Sequence, residues 1–195
     1  MDKIKLGVLV GGTSIEREVS KKSCENLLAN LDENKYDITV YHLPADGNTE
    51  WAKNIISNPP QIVLSALHGG NGENGSIQGF LHCLNIPYIG SKVLSSAICM
   101  NKAMAKTVMK ANHIQVPDHV FVMRGVDFSQ YEESIKLMGF PLIVKPNRGG
   151  SSIGVIVARN MEDIHYGIKN IMETYDDDVL IEKFIDGKEI NCCVL

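Results

Sequence analysis

The chain has 195 residues, 44% of them apolar and 22% charged, a balance that excludes a disordered, collagenous or coiled-coil protein and supplies one or two buried cores. Its net charge of -4 gives no bulk attraction to nucleic acid or to an anionic membrane, so any phosphate recognition has to be local. The longest apolar run near the start, Leu6-Gly7-Val8-Leu9-Val10, is too short to span a bilayer and leads to no cleavage site, which predicts a cytoplasmic protein. Cys24, Cys83, Cys99, Cys192 and Cys193 lack C-x-x-C spacing and read as free, buried thiols, not as a disulfide frame or a zinc site.

Residues 3–10 read as a buried strand running into Gly11-Gly12-Thr13-Ser14. Thr13 with Glu16 three residues on fits a capping box, and Val19, Ser23, Leu27 and Leu31 then recur at helical spacing. Residues 37–42 and 61–67 are further strands, and 77–84 a helix that leads to Ile86-Pro87-Tyr88-Ile89-Gly90. Strands alternating with helices predict an open parallel α/β layer. Beyond Ser91, Ser95 and Ser96 the texture changes, with Met100, Met104 and Val108 on one helical face and Lys102, Lys106 and Lys110 on another, read as solvated. Residues 119–123 form a short strand. Asp127 caps a helix bearing Tyr131, Ile135 and Met138 that stops at Gly139. Residues 142–146 and 154–158 are strands joined by a loop, Asn160 caps a helix bearing Ile164, Ile168, Ile171 and Tyr175, and 179–182 is another strand. This second half predicts an antiparallel α+β unit. Residues 189–195 alternate into an apolar finish without turn or cap, which predicts one more strand and a sequence that is the front part of something longer.

The segment with most chemistry is Lys145-Pro146-Asn147-Arg148-Gly149-Gly150-Ser151-Ser152-Ile153-Gly154. Its glycines let backbone N–H groups turn inward as a nest for phosphate oxygens, two hydroxyls add donors, and the lysine adds a compact positive charge. The alternative is an ordinary glycine hairpin with a surface lysine. It is no Walker A loop, since G-x-x-x-x-G-K-[ST] is absent. At the end of the first strand, Glu16 is placed to pair with a substrate ammonium group, or simply to cap its helix. His68-Gly69-Gly70-Asn71-Gly72-Glu73-Asn74-Gly75 falls on the same sheet edge, with His68 either functional or structural. Glu182 and Glu189, around Phe184-Ile185-Asp186-Gly187, either accept hydrogen bonds from an adenine amino group and ribose hydroxyls or are solvated carboxylates.

In order, these segments resemble the D-alanine-D-alanine ligase family of ATP-grasp enzymes. The matching pieces run from Gly11-Gly12-Thr13-Ser14-Ile15-Glu16-Arg17-Glu18 through Leu67-His68-Gly69, Gly72-Glu73-Asn74-Gly75 and Met100-Asn101-Lys102. They continue through Pro141-Leu142-Ile143-Val144-Lys145-Pro146 and Gly150-Ser151-Ser152-Ile153-Gly154 to Leu180-Ile181-Glu182 and Glu189. Two positions depart from the family pattern: Asn74, where an acidic residue is usual, and His82, where glutamate is common.

The resemblance implies a Rossmann-like substrate domain over residues 1–97, a central ATP-grasp subdomain over 98–185 and the start of an incomplete C-terminal subdomain over 186–195, cut short before the catalytic part. It implies ATP-dependent joining of two D-alanines through an acyl phosphate, for peptidoglycan precursors, in a homodimer that pairs through the N-terminal domain. Glu16 then holds the first amino acid's ammonium group, His68 supports that pocket, and Ser151 orients Glu16 and substrate. Lys102 and Lys145 neutralise ATP phosphates, with Ser151, Ser152 and Gly154 closing over them, while Glu182 and Glu189 meet adenine and ribose. The ligands for Mg2+ are expected beyond these residues, so the chain is expected to be inactive alone. A D-alanine-D-lactate or D-alanine-D-serine ligase, or a non-catalytic nucleotide-binding homologue, would share these features.

Overall fold

A computed structural model describes residues 2–192. One compact unit ends at Met100 and a second begins at Asn101. Among the described residues no helix is long and apolar enough to cross a membrane.

The first unit is built on a parallel sheet of β1 (Ile4–Gly11), β2 (Tyr36–Leu43) and β3 (Ile62–Ser65), in the order β2-β1-β3. The central strand is covered on both faces, which explains its unbroken apolar sequence. Leu6, Val8 and Val10 pack with Cys24, Leu27 and Leu31 of the segment around α1 (Arg17–Asn30), while Leu9 faces Ile55, Leu67, Ile77 and Leu81. Ile55 belongs to α2 (Glu50–Ser57), a helix the sequence reading leaves unassigned although Trp51, Ala52, Ile55 and Ile56 recur at helical spacing. Trp51 fixes it by packing edge-on against Phe80, ring centres 5.4 Å apart. The short α3 (Gly70–Glu73), then α4 (Ser76–Cys83) and α5 (Val93–Met100), complete the unit.

The expected capping box does not form. Glu16 occupies the N-cap of α1 itself without a side-chain cap bond, and Ser14 Oγ accepts the Glu16 N–H at 3.1 Å. The inward face of α1 is also turned by one residue from the expected one. Ser20 is buried because its Oγ accepts the Gly11 N–H at 2.8 Å, and Val19 stays half exposed. Among the described residues only Cys24 of the thiols expected to be buried is so; Cys83, Cys99 and Cys192 are exposed. Cys83 lies two residues past the core residue Leu81, and two residues turn a helix to its opposite side.

The second unit opens with α6 (Lys102–Ala111) and holds a four-stranded antiparallel sheet. Its strands are β4 (His119–Val122), β5 (Leu142–Pro146), β6 (Ile156–Ala158) and β7 (Val179–Lys183), in the order β4-β7-β5-β6. Leu142, Val144, Val179 and Ile181 face a core completed by Ile135 of α7 (Glu132–Met138) and Ile164 and Ile168 of α8 (Met161–Asn170). Asn160 caps α8 by accepting the Asp163 N–H at 2.9 Å. Asp127 instead caps a short 3-10 turn, Phe128–Gln130, that precedes α7, and Gly139 ends α7 in the left-handed region. A π-helical turn, Ile171–Tyr175, extends α8. Residues 187–192 form no strand, since alternation makes one only where a neighbour completes the ladder. The remainder of that expected strand, with Cys193, lies outside the described residues.

The packing of α8 on the sheet rests on Gly167, where a Cβ would sit 2.9 Å from Val144 Cγ1 and 3.2 Å from its Cβ. Replacing an interior helical glycine by alanine gains about 1 kcal/mol of helix propensity. Here overpacking against a buried strand costs roughly 1–3 kcal/mol and wins. Gly167→Ala is therefore expected to lower the urea midpoint of the chain; a raised midpoint would show that the contact yields.

Candidate functional site

Each unit carries its own cavity. In the first, β1, β2 and β3 all run the same way, so the loops that follow them gather at one edge of the sheet. A cavity of about 130 Å³ lies there, lined by Gly12 and Ser14 after β1, Asn48 and Thr49 after β2, and His68 and Gly69 after β3. Glu16 does not line it; its carboxylate lies against Gly69. A Cβ on Gly69 would meet Glu16 Oε2 at 2.3 Å and Ser14 Oγ at 2.6 Å, and the φ of +64° at this position independently favours glycine. The ring of His68 is held by Ser23, Oγ to Nε2 2.8 Å, and its Nδ1 is 3.7 Å from Glu73 Oε1. Ser23 escaped the sequence reading; a lone hydroxyl within the apolar spacing of α1 was the available signal.

In the second unit the strand pleat builds the site. Side chains alternate across a sheet, so Ile181 enters the core while Glu182 points to the other face, together with Ile143 opposite it and Lys145 two residues on. This face floors a cavity of about 300 Å³ lined by Lys102, Lys145, Ser151, Ser152, Glu182 and Glu189, among others. Its roof is the loop between β5 and β6. There the left-handed residues are Ser151 (φ 50°) and Ser152 (φ 57°), followed by Gly154 (φ 74°), whereas Gly149 packs closely, since its Cβ would stand 3.1 Å from Pro146 Cβ. Gly154 does not line the cavity; it is wedged where a Cβ would lie 2.9 Å from the Tyr175 ring and 3.0 Å from Pro146. The nest thus takes its turn from the serines as well as from glycine.

Asn147, buried completely, anchors this loop to α6. Its carbonyl accepts the Lys102 N–H at 3.1 Å and its Oδ1 the Ala103 N–H at 2.9 Å, while Asn101 Oδ1 takes the Met104 N–H at 3.0 Å. The first three N–H groups of α6, orphans in any helix, are all satisfied. Lys102 Nζ folds back onto the carbonyl oxygen of Gly149. Farther back, Arg148 pairs with Asp177 and Asp178, each at 3.2 Å.

The lysine face expected to be solvated is the inward face of α6. Of its three lysines, Lys102 and Lys106 are partly buried and only Lys110 is exposed as expected, together with Met104 and Val108. Lys106 reaches within 2.7 Å of Glu182 Oε2, and Lys145 pairs with Glu182 Oε1. Glu182 is therefore no solvated carboxylate: burial pushes its carboxyl up, but the contacts from Lys106 and Lys145 outweigh this and hold it below the ordinary value. Lys102 is pushed down, first by burial and then by the neighbouring charge of Lys145, against weaker support from Asp177 and Glu182. Its positive charge is short of a counter-charge, and an anion in the cavity would supply one. Neither Lys106 nor Asn147 was singled out by the sequence. For Asn147 the signal was its place inside the glycine segment, and for Lys106 its position one helical turn after Lys102.

Among the described residues no group of three or more His, Cys, Asp or Glu is placed to hold a metal ion.

Comparison with known proteins gives a consistent picture. The model of the D-ala D-ala ligase N-terminus matches residues 49–91 and that of the D-ala D-ala ligase C-terminus residues 108–195. A D-alanine--D-alanine ligase of Bacillus anthracis is 41% identical over 192 residues, covering 98% of this chain and 60% of that protein. Thus the chain spans about 60% of the length of this relative. The crystal structure of a D-alanine--D-alanine ligase from Bacillus anthracis complexed with ATP superposes with a TM-score of 0.82 at 35% identity, over 94% of this chain and 60% of that one. The VanG D-Ala:D-Ser ligase of Enterococcus faecalis gives a TM-score of 0.80 at 27% identity, over 95% of this chain and 64% of its own. With the N- and C-terminal models of one family together matching most of the chain, and 98% of the chain aligned with a 41% identical relative, the chain belongs to the D-alanine–D-alanine ligase family.

Proposed function

We propose that this chain contributes the nucleotide and first-substrate groups of an ATP-dependent ligase that joins two D-alanines in the cytoplasm, for peptidoglycan precursors. The observation that carries this reading is the single cavity around which Lys102, Lys145, Ser151, Ser152, Glu182 and Glu189 meet. In the reaction, a carboxylate oxygen of the first D-alanine attacks the γ-phosphorus of ATP; the bond to the β–γ bridging oxygen breaks, leaving ADP and an acyl phosphate. The amine of the second D-alanine attacks the acyl carbon, phosphate leaves, and the amine loses a proton. Phosphoryl transfer asks mainly for positioning and charge neutralisation, which suits two lysines under a turned loop.

Lys102 and Lys145 take the phosphates, and Ser151 and Ser152 donate from hydroxyl and backbone; Gly154 serves by allowing the loop its turn. Glu182 accepts from the adenine amino group, since a carboxylate has about four acceptor sites and the two lysines occupy only part of them. Glu189 meets the ribose. Glu16 receives the ammonium group of the first D-alanine, with His68 supporting the pocket and Ser151 orienting substrate. The ligands for Mg2+ are proposed to lie outside the residues of this chain. A homodimer through the N-terminal unit completes the proposal, and light scattering decides it. D-serine as second substrate is a second reading, favoured by the match to a D-Ala:D-Ser ligase.

Calorimetric titration of the chain with ATP tests the nucleotide site. Lys145→Ala and Glu182→Ala are each expected to weaken binding by about tenfold or more, the effect of losing a charge-assisted contact; if neither does so, these two residues are not in the nucleotide pocket. Supplied with ATP and D-alanine, the purified chain is expected to release no D-alanyl-D-alanine, and detection of the dipeptide by mass spectrometry would show that it already holds every catalytic group. Glu182 also links stability to pH. Its folded pKa lies below the ordinary 4.5, so its contribution is full above that value and is lost as the pH falls through the folded one. The stability gap between wild type and Glu182→Gln in urea titrations is expected to narrow below about pH 4.5; a gap that stays constant into acid would separate Glu182 from the ion cluster.

A further inference from the structure

We propose that Lys106 is a positioning residue for the nucleotide's phosphates, acting through Glu182: by neutralising that carboxylate from behind, it leaves the charge of Lys145 available to an anion in the cavity. The inference rests on the proposed nucleotide site and assigns to it a residue that does not itself line it.

Glu182 and Lys145 both line the cavity, and Lys145 pairs with Glu182 Oε1. Taken alone this pair is neutral and gives a phosphate little attraction; the carboxylate, with its side chain 10% exposed, would also repel it. Lys106 changes that balance. Its Nζ lies 2.7 Å from the second oxygen, Oε2, with the lysine side chain only 12% exposed, so the charge is spent on Glu182 and not on solvent. The three groups together then carry one net positive charge, facing the cavity through Lys145.

The remaining ionisable neighbours do not replace Lys106. Lys102 on the same helix is turned onto the carbonyls of Gly149 and Asn147. His119, paired with Glu182 across β4 and β7, directs Nδ1 to the Pro117 carbonyl at 3.1 Å. Asp177 is engaged by Arg148 at 3.2 Å. Glu189 adds negative charge to the lining. A buried carboxylate with one partner removed is a severe electrostatic defect, and here the defect would fall at the phosphate site.

A double-mutant cycle on the chain, read by calorimetric ATP titration near neutral pH, tests the idea. Lys106→Met is expected to weaken ATP binding about tenfold, and Lys106→Arg, which keeps the charge, to stay within about threefold of wild type. Adenosine, which has no phosphates, is expected to bind wild type and Lys106→Met alike. In the Glu182→Gln background the effect of Lys106→Met is expected to vanish, because no carboxylate remains to be neutralised. Lys106→Gln replaces Lys106→Met if thermal melting shows the latter unfolded. An equal loss with and without Glu182, or none in either, overturns the inference while leaving the nucleotide site intact. Absence of ATP binding by the wild type overturns the proposed function itself.

Discussion

The buried carboxylate of Glu182 governs the cavity of the second unit. β7 has to serve two environments at once, and the pleat lets it do so: Val179 and Ile181 close the apolar core, while Glu182 emerges on the opposite face. An ionised group at 8% exposure is tolerable only if it is paired. Lys145 from β5 and Lys106 from α6 provide the pairing, so the requirement to neutralise one glutamate fixes where a strand and a helix bring their ammonium groups. Core packing and cavity chemistry are thereby coupled, since a shift of β7 by one residue would exchange the two faces.

The same economy appears where α6 begins. Helix termini leave backbone N–H groups without partners, and here Asn147 and Asn101 accept the first three. Because Asn147 sits at the root of the loop between β5 and β6, the contact that caps the helix also sets the distance from Lys102 to that loop. Behind it, Arg148 clamps Asp177 and Asp178 just before β7. The left-handed turn at Ser151 and Ser152 is thus held at its base by hydrogen bonds and ion pairs, while its tip remains exposed.

The first unit solves a different problem by topology. A parallel sheet with its central strand covered on both sides sends three loops to one edge. Close approach of the loops after β1 and β3 depends on the missing side chain of Gly69, which gives Glu16 and Ser14 their space. Ser23 reaches from α1 to fix the ring of His68, so a helix interior contributes to a loop-built cavity.

Composition and periodicity were sufficient for the strands of both sheets, the antiparallel character of the second half and most of the helices, because burial on one face or two leaves a direct mark on the order of apolar residues. The glycine loop and the two glutamates could be located for the same local reason, as residue types that turns and sheet edges require. The inward turn of Lys102 and Lys106, the roles of Ser23 and Asn147, and the failure of the capping box at Thr13 had no such mark. Each depends on a partner in another element: Glu182 for Lys106, His68 for Ser23, the start of α6 for Asn147, and the end of β1 for the face that α1 presents. Local sequence reports what a residue prefers in water or in an apolar layer. Whether a charge is solvated or spent on a buried counter-charge is decided only when the fold brings the two together.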